Sequence, residues 1–239
     1  MVDIVFPTTS APGTRPQESA GRLINAFVEK TLLGAPSQVI IRRVPGLQQV
    51  ANNTDHIHTR GFLDTGGSSV FWILDDRTLS FDSSFTVTDL GALVGVDPIT
   101  LAKNNAAVPN FVAVTALGCF NLFTASAPTN FADADLPASP TSVCSFHGYF
   151  VWSFGDGRIF ASDLNSVSVD ALSFTTEQGL FVRRVVPYGD RVYAFGDKWI
   201  GVYRDAGTIP FPFAREVTIP RGIVGTHAVA GWGRAGRRH

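Results

Sequence analysis

Two stretches of this sequence echo one another. Gly148 to Asp163 places Tyr149–Phe154 and Ile159–Ala161, both apolar and rich in aromatics, around Gly155-Asp156-Gly157. Gly189 to Asp205 repeats the arrangement, and Phe154-Gly155-Asp156 returns as Phe195-Gly196-Asp197 at an offset of 41 residues. Strand-favouring runs on both sides of a glycine turn are the pattern of a β-hairpin, with glycine supplying positive φ where the turn needs it. An echo at a fixed offset makes that hairpin one unit of a period.

The period extends backwards. Ser69–Leu74 and Thr78–Phe81 flank Asp75-Asp76-Arg77, and Phe85-Thr86-Val87 follows. Asn110–Thr115 and Cys119–Phe123 flank Ala116-Leu117-Gly118. Hairpins are therefore expected near residues 68, 110, 148 and 189, about one per forty residues, with no amphipathic helix between them. Short strands at this spacing predict an all-β chain, a β-propeller whose four-stranded blades bury their faces on one another. A β-sandwich also has short strands and frequent turns, but does not predict the echo. Ile223–Ala230 is expected to begin another blade, which leaves about four and a half blades and an incomplete ring. From this the chain is expected to be a piece of a longer protein.

The blades are expected over residues 59–239, behind an N-terminal arm or small stalk over 1–58. Met1 to Glu18 carries Pro7, Pro12, Gly13 and Pro16, which disfavour regular structure. Ser19 is placed to cap a short helical or irregular segment through Lys30, with Leu23, Ile24, Phe27 and Val28 on one side. Val39-Ile40-Ile41 is β-rich, and Pro45-Gly46 is a turn.

Composition narrows the function. The net charge is −1, without the basic balance of a protein that wraps nucleic acid. Charged residues make up 16%, against about 25% in typical domains, which points to surface buried against other subunits. Cys119 and Cys144 form no metal or disulfide spacing and read as small reduced core residues. No signal peptide is legible, and Phe111–Ala125 is too short and polar to span a membrane.

Catalytic chemistry finds little to stand on. The repeated Ser-x-Asp-x-Gly-x-x-Trp boxes of sialidase-type propellers do not occur. Asp75-Asp76 and Asp133/Asp135 are the nearest to a paired-carboxylate site, yet both lie at turns, where Asp binds local backbone. Asp133-Ala134-Asp135 lacks the rest of a calcium loop, and His56-x-His58 has only Asp55 beside it as a further ligand. His147 and His227 read as packing or hydrogen-bonding residues. No Gly-x-Ser-x-Gly elbow or phosphate-binding loop is found. The basic pairs, Arg42-Arg43, Arg183-Arg184 and Arg237-Arg238, are dispersed, and Arg183-Arg184 beside a strand faces either a channel or solvent. No catalytic, cofactor or metal residue is assigned.

Several motifs together resemble a known family. Asn25-Ala26-Phe27-Val28-Glu29, Arg43-Val44-Pro45-Gly46-Leu47 and Arg60-Gly61 are similar to the opening of the phage stabilisation proteins, the packaged-DNA stabilisation or tail-nozzle proteins of short-tailed phages. Phe195 to Tyr203, Gly207, Pro210-Phe211-Pro212-Phe213-Ala214-Arg215, Gly222 and His227 to Ala230 resemble a late blade of that family. The likeness covers most of residues 19 to 232. It implies a six-bladed propeller and a hexamer in the virion tail, assembled in the host cytoplasm beneath an adaptor ring under the portal. Such an assembly closes the DNA exit channel after packaging and carries a needle or plug, with tailspike or fibre proteins as neighbours. DNA would pass through without specific binding. The chain is shorter than a full family member, and Gly201 stands where the likeness leads us to expect an acidic residue.

The resemblance and the exposed-looking aromatics give the interface candidates Asn25, Phe27, Glu29, Arg43, Phe211, Phe213 and Arg215. The alternative for Phe211 and Phe213 is local core over a blade edge. For Asn25 to Arg43 it is a strand that completes the last blade. The reading is a structural virion protein and not an enzyme. The competing classes are a carbohydrate-binding or glycoside-cleaving propeller and a general protein-interaction propeller.

Overall fold

In a computed structural model of the chain, the described residues are 26–30, 39–43, 58–67, 69–177 and 181–229. Two compact units result, Met1–Val50 and Ala51–His239.

In the first unit β1 (Ala26–Lys30) pairs antiparallel with β2 (Val39–Arg43), Phe27 opposite Arg42 and Glu29 opposite Ile40. Residues 26–30 are thus a strand where a helical or irregular segment is expected from sequence. Phe27 and Val28 are content in extended backbone, and the Val39-Ile40-Ile41 run offers a ladder that five residues of helix cannot match. Residues 19–25, including Asn25, lie outside the described residues.

The second unit is all-β among its described residues and holds four four-stranded antiparallel meanders. The first sheet is β3 (Thr59–Asp64), β4 (Ser69–Leu74), β5 (Arg77–Asp82) and β6 (Val87–Ala92). The second is β7 (Thr100–Lys103), β8 (Phe111–Thr115), β9 (Gly118–Leu122) and β10 (Thr129–Asn130). The third is β11 (Ser142–Phe146), β12 (Tyr149–Ser153), β13 (Arg158–Ser162) and β14 (Val169–Thr176). The fourth is β15 (Val182–Tyr188), β16 (Arg191–Gly196), β17 (Ile200–Asp205) and β18 (Phe213–Ile219). The four hairpins expected from sequence are the second and third strands of these sheets.

First strands of successive sheets lie side by side: β3 on β7, β7 on β11, β11 on β15. That arrangement is a β-propeller, and the four described blades are not closed into a ring. One apolar cluster fills each junction. Phe71, Ile73, Phe111 and Leu122 fill the first; Val112, Phe150, Trp152 and Phe160 the second; Val151, Ile159, Val192, Trp199 and Tyr203 the third. Each fully buried large apolar side chain contributes about 1.5–3 kcal/mol, so the junctions carry most of the stability. Alternation along each strand sends successive side chains to opposite junctions: Trp152 faces the second and Val151 the third.

Residues 223–229 carry no strand, which corrects the expected fifth-blade strand over this part. Their hydrogen bonds go elsewhere: Ile223 N–H donates to Gly196 O at 3.0 Å and Ala228 N–H to Gly225 O at 3.0 Å. With no ladder partner alongside, the backbone bends and turns instead.

Candidate functional site

The blade junctions are latched by polar side chains set at a regular interval. Thr100 Oγ1 on β7 accepts the Val143 N–H of β11 at 3.0 Å. Ser142 Oγ on β11 accepts the Val185 N–H of β15 at 2.9 Å. Arg184 on β15 donates from Nη1 to Thr226 O at 3.0 Å. Thr100, Ser142 and Arg184 are each 42 residues apart. Each ties its blade to a segment one period further along. Residues 226–227 therefore stand where the next inner strand is due.

The first junction is held by a cation. Arg60 on β3 is 5% exposed, and its guanidinium donates to the backbone oxygens of Asp97, Asp75 and Leu93 at 2.8 Å each, with Val94 O at 3.4 Å. Burial lowers its pKa, opposed by the nearby Asp97, Asp76 and Asp75. Beside it, a Cβ on Gly61 would stand 2.8 Å from Ile99 Cγ1 and 2.9 Å from Leu101 Cδ1. The Arg60-Gly61 motif is thus a clamp and a close approach of β3 to β7.

The third junction is held by an anion. Glu177 is 3% exposed and accepts hydrogen bonds from Tyr203 Oη and Arg215 Nη2. Burial first, and then the adjacent carboxylate, push the Tyr203 phenol well above its ordinary pKa. Glu177 Oε1 lies 3.2 Å from where a Cβ of Gly201 would be. Glu177 thus lies beside Gly201, the position where the resemblance led us to expect an acidic residue.

The four inner strands together line an open pocket of about 440 Å³, formed by Gly61–Leu63, Ile99–Lys103, Val143–Ser145 and Arg184–Pro187. Arg183 points away from it, pairing with Asp197 and stacking on Phe181, while Arg184 lines it. A family model described as Bacteriophage P22 Gp10, beta-propeller, matches residues 23–234. The chain belongs to that family. It is, by that membership, a structural protein of the phage virion.

No curated protein matches the chain in sequence. Among solved structures it is similar to PorZ, a surface component of the type-IX secretion system of Porphyromonas gingivalis, at 14% identity and TM-score 0.45, covering 66% of this chain and 22% of that one. The Pan2 WD40 domain of Neurospora crassa matches at 8% identity and TM-score 0.47, over 69% and 52%. A chain of the mitotic checkpoint complex matches at 13% and TM-score 0.47, over 77% and 55%. The chain thus spans between 22% and 55% of the length of these matched chains.

The structure disperses the interface candidates among three settings. Phe27 and Glu29 are on β1, and Arg43 is exposed at the end of β2. Phe213 is 5% exposed, meets Phe146, Tyr149 and Phe211, and belongs to the third junction with Phe211 packed on it. For these two aromatics the packing supports local core. Arg215 is the partner of Glu177 and bridges the same junction.

The candidate acids and thiols have structural partners. Asp75 pairs with His58 at 2.9 Å, and Asp133 accepts the N–H groups of Asp135 at 2.9 Å and Val169 at 3.1 Å. His147 stacks on Phe146 and reaches Asp205 at 2.9 Å, across the third junction. Among the described residues no group of three His, Cys, Asp or Glu is placed to hold a metal. Cys119 and Cys144 are free thiols, and burial pushes both up to about 12. The sequence reading missed Glu177, Thr100 and Ser142. The two hydroxyls share the interval of 42 residues with Arg184, which is a signal, whereas nothing around Glu177 marks it.

Proposed function

We propose that this protein is a tail-nozzle subunit that narrows and closes the DNA exit channel beneath portal and adaptor and keeps the packaged genome inside. The family match over residues 23–234 is the observation that carries this reading. The fold is consistent with a wall: three apolar junctions in series, each latched by buried polar bonds, let blades resist sliding past one another. The action is steric, with no bond made or broken in the DNA. The chain works as part of a hexamer seated on the adaptor ring, bearing the needle or plug, with tailspikes or fibres beside it. The β1–β2 pair, marginal as an isolated two-stranded sheet, is the segment that docks on a neighbouring subunit, through Phe27, Glu29 and Arg43.

The test is the mass of the full assembly in solution, with and without the adaptor ring. Adaptor-dependent hexamers are expected. A monomer that ignores the adaptor and binds or cleaves a glycan would remove the nozzle reading and favour the carbohydrate propeller.

A further inference from the structure

Among the described residues no acidic side chain lines the axial cavity, although a guanidinium does. Arg184 is half-buried on its wall. Its Nη1 is engaged by a neutral carbonyl, Thr226 O, and lies 3.3 Å from His227 Nδ1. Its Nε is enclosed and has no acceptor. Lys103, whose stem lines the cavity, carries its Nζ to the turn at Gly66. The acidic neighbour of Arg184 is Cys144, a thiol that burial keeps protonated at neutral pH. Desolvation correspondingly lowers the pKa of Arg184, and that of His227, which also feels the guanidinium. Elsewhere in this chain the buried charges have found partners: Glu177 has a cation and a hydroxyl, and Arg60 has carbonyls with three acids nearby.

We propose that the axial cavity is an anion site, taking a small free oxyanion of the phosphate class on Arg184. With Nη1 held by Thr226 and Nε enclosed, Nη2 is the nitrogen of the guanidinium left for an anion, and a charged N–H donor favours an oxyanion acceptor. Arg184 is also the third latch residue, so an anion there would brace the Thr226–His227 segment and with it the open edge of the fourth blade.

The experiment titrates inorganic phosphate into the full chain, with acetate as a second probe, reading binding by calorimetry and the His227 titration by NMR, assigned with H227Q. Saturable phosphate binding is expected, with the His227 midpoint rising as the anion offsets the guanidinium. Acetate is expected to bind more weakly. R184K keeps the charge but loses the planar guanidinium and should weaken binding at least about tenfold, while K103Q, whose ammonium lies at the Gly66 turn, should change it little, with circular dichroism confirming that both fold. Binding that does not saturate, or that R184K leaves unchanged, would mean an adventitious ion only and would overturn the site. So would a His227 midpoint that phosphate does not move.

Discussion

The first and third blade junctions solve one problem with opposite charges. At the first, Arg60 lies among neutral backbone carbonyls of the β4–β5 turn and of the 93–97 segment. At the third, Glu177 is met by a phenol and a guanidinium from the next blade. A buried cation can be satisfied by carbonyls that loops supply in plenty. A buried carboxylate needs donors, and with backbone N–H groups committed to ladders these come from side chains. The first clamp therefore needs a particular backbone path, and the third needs particular residues.

The largest effect should come at the third junction. A Cβ on Gly196 would stand 2.1 Å from Trp199 Nε1 and 2.4 Å from its Cε2, and Trp199 is buried, so Gly196→Val should abolish soluble folded protein. Gly155→Val meets the ring of Phe181 at 2.8 Å, but that ring is 42% exposed and can swing out, so about 1–2 kcal/mol is expected. Expression and urea unfolding compare the two. Equal losses would erase the distinction.

That pair shows how far the sequence reaches. The Phe-Gly-Asp echo located two real hairpins and with them the period. Its offset of 41 is one residue short of the blade interval of 42, however, and a one-residue slip in register exchanges a strand's two faces. Phe154 accordingly sits in the second junction, while Phe195 is half-buried outside the third and stacks on Tyr193. The interval of 42 keeps the face and is the one the latches follow. Second and third strands were legible because both their faces are apolar. The outer strands, such as β14 and β18, are mostly exposed and carry no such pattern. Arg60 and Glu177 act through partners 15 to 38 residues away, and local spacing does not encode that.

Removing the charges tests the contrast directly. Arg60→Met leaves several carbonyls without a donor at once and should cost about 2–4 kcal/mol. Glu177→Gln keeps the shape and one acceptor, and Arg215 can turn to water, so about 1–2 kcal/mol is expected. Urea midpoints rank them, and the reverse order would mean that donors, not backbone path, limit both junctions. Ser142→Ala is smaller again, about 1 kcal/mol, for an orphaned Val185 N–H. Hydrogen exchange at Val185 should quicken while Val143, held by Thr100, stays protected.

The smallest effect concerns the last latch, where pH replaces mutation. Desolvation, and then Arg184, lower the His227 pKa below its ordinary 6.5, while its bond to Pro98 and the charge of Asp97 act the other way. The unfolded chain therefore takes up the proton first as pH falls. The stabilisation is present above about 6.5 and is lost as pH drops from there through the lowered native value. Acid should thus loosen the Thr226–His227 segment, in which an imidazolium would face the Arg184 guanidinium it now lies against. The protection factors of amides 226–228, with exchange corrected for its intrinsic pH dependence, should fall below pH 6.5 in the wild type and be flat in His227→Gln. A loss of protection that persists in the variant would mean that His227 is not the group that loosens this segment, and that the Arg184–His227 contact does not make it acid-labile.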